Sequence, residues 1–189
     1  MSEQLTQNDN RWDWIVRLCH WLMVGLIAGS WFTAENGFMQ WHYYLGYALI
    51  AVITVRIAWG IIGKKPARFS NFLRSPVAVI RYLKNINQQK DQISPTHSPA
   101  GGYSVIALLG LMLTQTISGL FSVETDGYDG GPLSENIDYD LALQFSEFHQ
   151  TSFDVLLGFI VLHIFAVVFY QKVLKQPLLQ TMSPFKNRK

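Results

Sequence analysis

Charged residues are scarce in this sequence. Only 15% of the 189 residues are Asp, Glu, Lys or Arg, whereas 49% are hydrophobic and 14% are aromatic. A soluble domain ordinarily carries about 25% charged residues, so the composition argues against a soluble protein and favours a membrane protein. The lipid bilayer is accordingly the first expected partner, and no nucleic-acid partner is expected.

Cysteine is nearly absent as well. The single cysteine, Cys19, cannot form a disulfide within the chain, so the compartment has to be inferred from the distribution of charge. Between residues 64 and 102 one acid, Asp91, stands against the basic residues Lys64, Lys65, Arg68, Arg74, Arg81, Lys84 and Lys90. Residues 124–147 contain no Lys or Arg but carry the acids Glu124, Asp126, Asp129, Glu135, Asp138, Asp140 and Glu147.

The sequence contains four long apolar segments. They cover about 14–34, 41–63, 103–123 and 149–171, and each is close to the roughly 20 residues that cross a bilayer as a helix. We therefore expect a single domain over residues 1–189, of the all-α class, built as a membrane four-helix bundle. The leading "MSEQLTQNDN" has no basic charge, so the first segment is predicted to be a retained span and not a signal peptide.

The charge asymmetry predicts the orientation of these spans. Basic loops lie on the cytoplasmic side of a membrane, so both termini and the basic loop 64–102 are expected in the cytoplasm and the acidic loop outside. Within the basic loop, "SPVAVIRYLKNIN" has apolar residues at helical spacing with basic residues between them. That pattern predicts a short helix on the inner membrane surface, with a solvated connector as the equal alternative. The outer loop "ETDGYDGGPLSENIDYD" is predicted to be rich in turns.

Four histidines fall within or at the ends of the predicted spans. His149 and His163 are fourteen residues apart, about 21 Å of rise and nearly four whole turns, so they face nearly the same side of one helix at opposite ends. With the predicted orientation, His20 and His163 lie at the inner level, and His42 and His149 lie at the outer level. Each level therefore holds one pair of histidines from two different helices.

Such a pair is the usual holder of a low-spin haem iron in a helix bundle. Any one histidine alone is more simply explained as a structural residue bonded to a carbonyl, but four at two matched depths are not. No acid or cysteine accompanies either pair, which disfavours a zinc or non-haem iron site. A proton relay would need carboxylates within the spans, and Asp154 alone qualifies.

Two arginines and several small residues complete the predicted haem sites. Arg17 lies one turn before His20, and Arg56 lies fourteen residues after His42, so both are candidates to pair with haem propionates at the inner level. For Arg17, snorkelling of the side chain to the interface is an equal alternative. Room for the macrocycle is expected at small residues within the spans, namely Gly25, Ala28, Gly29, Gly46 and Gly158.

The segments "RLCHWL", "WHYYLGY", "RIAWGIIGKKPARFS" and "HSPAGG", together with the paired histidines of the fourth span, resemble the prokaryotic cytochrome b561 family. This family includes b-type cytochrome subunits of nickel-iron hydrogenases, and the resemblance runs from about Arg11 to Tyr170. It implies two haems b, electron transfer across a bacterial inner membrane and exchange of electrons with a quinone pool. The family's common "GHNPAGG" is "THSPAGG" here, with the first glycine and the asparagine replaced.

The resemblance leaves the redox partner open, and with it whether the protein is an enzyme in its own right. One hypothesis is an electron-transfer subunit that serves a periplasmic redox protein, a c-type cytochrome or a hydrogenase-like subunit, with the acidic loop as an electrostatic landing site. The alternative is a superoxide oxidase that reduces quinone. An anionic substrate would require a positive funnel, so the acidic outer face favours the protein partner. A second copy of the chain is a further candidate partner.

Overall fold

The structure is a computed structural model, and it describes residues 12–64, 67–84, 99–123, 130–176 and 178–183. The α-helices are α1 (Trp14–Glu35), α2 (Met39–Ile62), α3 (Phe69–Phe72), α4 (Pro76–Lys84), α5 (Pro99–Phe121), α6 (Tyr139–Lys172) and α7 (Leu178–Met182). A short 3₁₀ helix covers Ser134–Asn136, and one isolated bridge joins Val123 to Gly130. Within these ranges no strand forms, so the predicted all-α class is confirmed.

In the described part of the chain, α1, α2, α5 and α6 are the helices that are long and apolar enough to cross a membrane. They correspond to the four predicted spans. The largest difference is at the start of α6, which begins at Tyr139, ten residues before the predicted span. Asp138 caps this helix, because its carboxylate accepts a hydrogen bond from the backbone N–H of Asp140 at 3.1 Å. The helix predicted within 75–87 is also present, as α4.

A tight turn joins α1 to α2. Gly37 adopts a left-handed conformation with φ 72°. Its N–H donates to the carbonyl of Ala34 at 3.1 Å, and the N–H of Phe38 donates to that of Thr33 at 2.8 Å. This pair of bonds is the Schellman motif, which satisfies the last carbonyls of a helix and requires a residue that tolerates positive φ. The turn lets α2 begin only four residues after α1 ends.

The chain divides into two compact units. The first unit is made of the described residues within Met1–His20, Arg56–Ile106 and Leu162–Lys189, and the second unit is made of those within Trp21–Val55 and Ala107–Val161. Each of the four long helices contributes residues to both units. His20, His163 and both candidate arginines belong to the first unit, whereas His42 and His149 belong to the second.

Several polar side chains are buried, and many large apolar side chains are exposed. In the second unit the buried residues include the polar side chains of Gln115, Ser118 and Ser152, while Trp41 is 62% exposed. In the first unit Arg56 is only 3% exposed. Polar groups that turn inward while large apolar groups turn outward are expected when hydrocarbon and not water surrounds a chain.

Candidate functional site

The second unit brings His42 and His149 together. Their ring centroids are 6.2 Å apart and the ring planes are nearly perpendicular, at 86°. With metal–nitrogen bonds of about 2 Å, two imidazoles that ligate one iron from opposite sides have centroids roughly 6 Å apart. The separation therefore fits a single iron held between α2 and α6.

Hydrogen bonds select the tautomer of both rings. His42 Nδ1 lies 2.9 Å from the backbone carbonyl of Ser30, and His149 Nδ1 lies 2.9 Å from that of Gln115. A carbonyl can only accept, so Nδ1 carries the proton in each ring. The lone pair of each neutral imidazole is then on Nε2, the nitrogen available to a metal. A backbone carbonyl on the second ring nitrogen is a common support for metal-ligating histidines.

Residues of α5 surround His149. The hydroxyl of Ser118 lies 3.1 Å from His149 Nδ1 and donates to the carbonyl of Gln115 at 3.0 Å. The side-chain amide nitrogen of Gln115 lies 3.1 Å from His149 Nε2. The hydroxyl of Ser152 donates to the side-chain carbonyl oxygen of Gln115. A β-carbon on Gly119 would come 2.8 Å from His149 Cε1, so α5 approaches the ring closely only because this residue is glycine. We call Gln115, Ser118 and Gly119 the α5 cradle.

The amide of Gln115 also sets a condition on ligation. It donates to the nitrogen that would bind a metal, so ligation through His149 Nε2 requires this side chain to turn away. Rotation about its side-chain torsions allows that movement. The backbone carbonyl of Gln115 holds Nδ1 whichever way the side chain points, and the ring orientation is preserved. The cradle was not predicted from the sequence, although a glutamine and a serine within an apolar span are a signal for polar partners.

The first unit brings His20 and His163 together in the same way. Their ring centroids are 6.5 Å apart, with an angle of 52° between the planes. This separation also fits one iron between two imidazoles, here from α1 and α6. In the part of the chain that the structure describes, no three His, Cys, Asp or Glu side chains gather into a metal-binding group. The histidine pairs are consequently the sites to consider for a haem iron.

Arg56 is buried in the first unit. Its guanidinium lies 5.1 Å from the centroid of the Phe69 ring, a cation–π contact. Its Nη1 is buried and forms no hydrogen bond to the described residues. Gly60, one turn further along α2, permits this contact, because a β-carbon there would lie 2.2 Å from Phe69 Cε2. A buried guanidinium nitrogen without an acceptor is an unsatisfied donor of the kind that an anionic group, such as a haem propionate, would satisfy.

Arg17 is bound to Ser183, the residue that follows α7. Its Nη1 donates to the backbone carbonyl of Ser183 at 2.8 Å, while its buried Nε has no hydrogen-bond partner among the described residues. Nearby, Asp13 caps α1 by accepting from the N–H of Ile15 at 2.9 Å, and it accepts from the indole N–H of Trp59 at 3.1 Å. Arg17 therefore has one structural role and one nitrogen still available to an anion.

The predicted small residues differ in their surroundings. A β-carbon at Gly25, Gly46 or Gly158 would meet no atom within 4 Å, so there is space beside these positions. Gly29 instead packs against Leu45, at 3.2 Å. Some predicted features lie outside the described residues, including His97 and the first three acids of the outer loop.

A comparison with protein families assigns the chain to a family. The model of the family described as prokaryotic cytochrome b561 matches residues 11–185. The chain belongs to the prokaryotic cytochrome b561 family. No match was found among curated proteins or among solved structures.

Membership in this family, together with four apolar helices in the described residues, makes the chain a multi-pass membrane protein. It is a b-type cytochrome that binds haem b and takes part in electron transfer. The family assignment made from the sequence motifs is thereby confirmed.

Proposed function

We propose that this cytochrome b561 carries two haems b, one between His20 and His163 and the other between His42 and His149. The supporting observation is that two histidine pairs have centroid separations of 6.5 Å and 6.2 Å, each within its own unit of the fold. Haem b supplies a one-electron carrier at each site. The chain would contribute imidazole nitrogens at both sites and, for His42 and His149, the backbone carbonyls that hold the second ring nitrogens.

Arg56 is proposed to bind a propionate of the His20–His163 haem. It is 3% exposed and has a guanidinium nitrogen without an acceptor among the described residues, so a carboxylate would relieve an unsatisfied buried donor. Arg17 is the second candidate, through its buried Nε. If both arginines lie at the His20–His163 haem and not at the other, the electrostatic surroundings of the two haems differ.

The proposed role is electron exchange between the quinone pool and a redox partner protein at the periplasmic face of a bacterial inner membrane. The basic loop 64–102 and both termini are assigned to the cytoplasm by the positive-inside rule. The acidic loop then faces the periplasm, where a basic c-type cytochrome or a hydrogenase-like subunit would dock. Superoxide oxidation remains the alternative that the assays must separate from this role.

Haem stoichiometry and coordination test the proposal directly. The purified protein should contain two haems b per chain by the pyridine haemochrome assay, and its spectra should be those of six-coordinate low-spin iron. One haem per chain, or a high-spin spectrum, would overturn the two-site assignment. In the first role, haem reduced by a quinol should be reoxidised by a basic c-type cytochrome. In the second role, superoxide should reduce the haem with release of O2, and quinone should then reoxidise it.

A further inference from the structure

The near-perpendicular arrangement of His42 and His149 is fixed by contacts on both rings. The angle between their planes is 86°. His42 is held by its Nδ1 bond of 2.9 Å to the carbonyl of Ser30, and His149 by its Nδ1 bond of 2.9 Å to the carbonyl of Gln115. A ring that rotated about its Cβ–Cγ bond would lose this hydrogen bond, which buried donors rarely do without.

Two further members of the α5 cradle restrict His149. Ser118, only 2% exposed, accepts from His149 Nδ1 at 3.1 Å while its own hydroxyl donates to the Gln115 carbonyl at 3.0 Å. The N–H of the imidazole is thus shared between two acceptors that are themselves bonded to each other. Gly119 lies against the Cε1 edge, where any β-carbon would overlap the ring.

We infer that the α5 cradle is an electronic positioning device for the haem held by His42 and His149. Through Ser118 and Gly119 it keeps the His149 plane perpendicular to that of His42 and sets how strongly His149 donates electrons to the iron. This inference rests on the proposed function, because it requires these two histidines to be the axial ligands of one haem.

The angle between axial imidazole planes has a direct electronic consequence. Each ring overlaps mainly with one of two iron d orbitals that are otherwise nearly equal in energy. Parallel rings act on the same orbital and split the two, whereas perpendicular rings act on one each and leave them close together. A low-spin ferric haem with perpendicular ligands therefore has a highly anisotropic electron paramagnetic resonance signal, and one with aligned ligands has a rhombic signal.

The shared hydrogen bond has a second consequence. An acceptor on Nδ1–H gives the imidazole more anionic character and makes it a better donor through Nε2, and this favours ferric iron. Removing one of the two acceptors should shift the midpoint potential of that haem upward. The effect should be confined to the His42–His149 haem, because the Ser118 hydroxyl bonds to Gln115 and His149.

The first unit provides an internal comparison. The planes of His20 and His163 are 52° apart, intermediate between aligned and perpendicular. The oxidised protein should therefore give two distinct low-spin signals, with the more anisotropic one belonging to the His42–His149 haem. Loss of that signal in His149→Ala, with retention of the other, would assign it.

A matched pair of substitutions tests the role of Ser118. Threonine keeps the hydroxyl, and valine has the same shape as threonine but lacks it. Purified holoprotein of both variants would be compared by electron paramagnetic resonance and by redox titration. In Ser118→Val the His42–His149 haem should have a higher midpoint potential and a less anisotropic signal, while Ser118→Thr should resemble the wild type in both.

The outcomes separate this inference from the function on which it rests. If the wild type contains no six-coordinate low-spin haem at this pair, the proposed function fails. If two low-spin haems are present but neither signal is highly anisotropic, the perpendicular arrangement is wrong while the ligation stands. Equal potentials and spectra in the valine and threonine variants would overturn the role of Ser118. The wild-type spectrum tests the geometry even if both variants lose haem.

Discussion

A β-carbon on Gly119 would lie 2.8 Å from Cε1 of His149. Helix α5 therefore touches the imidazole through its backbone, and any larger residue would push one of the two aside. Because the ring is anchored at Nδ1 to the same helix, it has little freedom to retreat.

The first prediction is that Gly119→Ala lowers occupancy of the His42–His149 haem. The added methyl group should force the ring from its position, since overpacking a tight site typically costs about 1–3 kcal/mol. Haem content and low-spin absorbance of the purified variant measure the effect. Gly110→Ala on the same helix is the control, because a β-carbon there meets no atom within 4 Å. Equal haem content in the two variants would show that the site tolerates the methyl group.

The second prediction concerns the two ligands of α6. His149→Ala should deplete the haem shared with His42, and His163→Ala should deplete the haem shared with His20, because each removes one axial nitrogen from a different iron. Redox-resolved spectra of the two variants should each lack a different component. Depletion of the same component by both substitutions would contradict the pairing.

Much of this arrangement could be predicted from the sequence, for reasons visible in individual residues. Histidines fourteen residues apart on one apolar segment have to face one side of a helix. The predicted orientation of the spans then gives His149 and His163 one partner each, at two different levels. The start of α6 was harder to predict. Residues 139–148 mix polar and apolar types, so a prediction based on apolar residues places the start of the span at residue 149. The helix begins ten residues earlier, because helical hydrogen bonds are local and do not stop at the edge of a hydrocarbon layer.

The α5 cradle could not be predicted from the sequence. Gln115 and Ser118 stand out as polar residues in an apolar span, but which ring they contact depends on the register of α5 against α6. The same holds for Phe69, which follows α2 and returns to cover Arg56. Such contacts join residues distant in the chain, and local periodicity carries no information about them.

The third prediction is that Arg56→Met weakens binding of the His20–His163 haem. A hydrogen bond to a charged group contributes about 1.5–3 kcal/mol, so affinity should fall by roughly tenfold or more if Arg56 holds a propionate. Haem transfer to an excess of apomyoglobin measures the loss. Arg74→Gln, at an exposed position, is the control.

Arg56→Met should have a different effect if Arg56 does not bind a propionate. If no propionate binds Arg56, the substitution removes a buried cation with an unsatisfied nitrogen and replaces it with an apolar side chain. Haem would then be retained and the thermal stability in detergent would rise, because a buried unpaired charge is costly.

The fourth prediction is that Gly60→Ala destabilises the first unit. A β-carbon at this position would lie 2.2 Å from Phe69 Cε2, so the aromatic ring would have to leave its place beneath Arg56. The cost should be about 1–3 kcal/mol, seen as a lower unfolding temperature in detergent. Gly110→Ala should instead be neutral or slightly stabilising, since alanine favours a helix over glycine by roughly 0.5–1 kcal/mol. An unchanged unfolding temperature in Gly60→Ala would show that Phe69 can move without loss.

The last prediction concerns the acidic outer loop, where Asp126, Asp129 and Asp138 are the proposed landing site for a basic redox protein. Replacing the three by asparagine should slow electron exchange with that partner at low salt and leave both haem spectra unchanged. Asparagine also caps helices, so α6 should still begin at Tyr139 while the charge at position 138 is lost. Because the Debye length is about 8 Å at physiological ionic strength, the wild-type rate should fall as salt is added and the variant's rate should depend less on salt. Stopped-flow reoxidation across a series of salt concentrations measures both, with Arg74→Gln in the basic loop as the charge control. A wild-type rate that does not depend on salt would mean that these acids serve only to keep the loop soluble and outside the membrane.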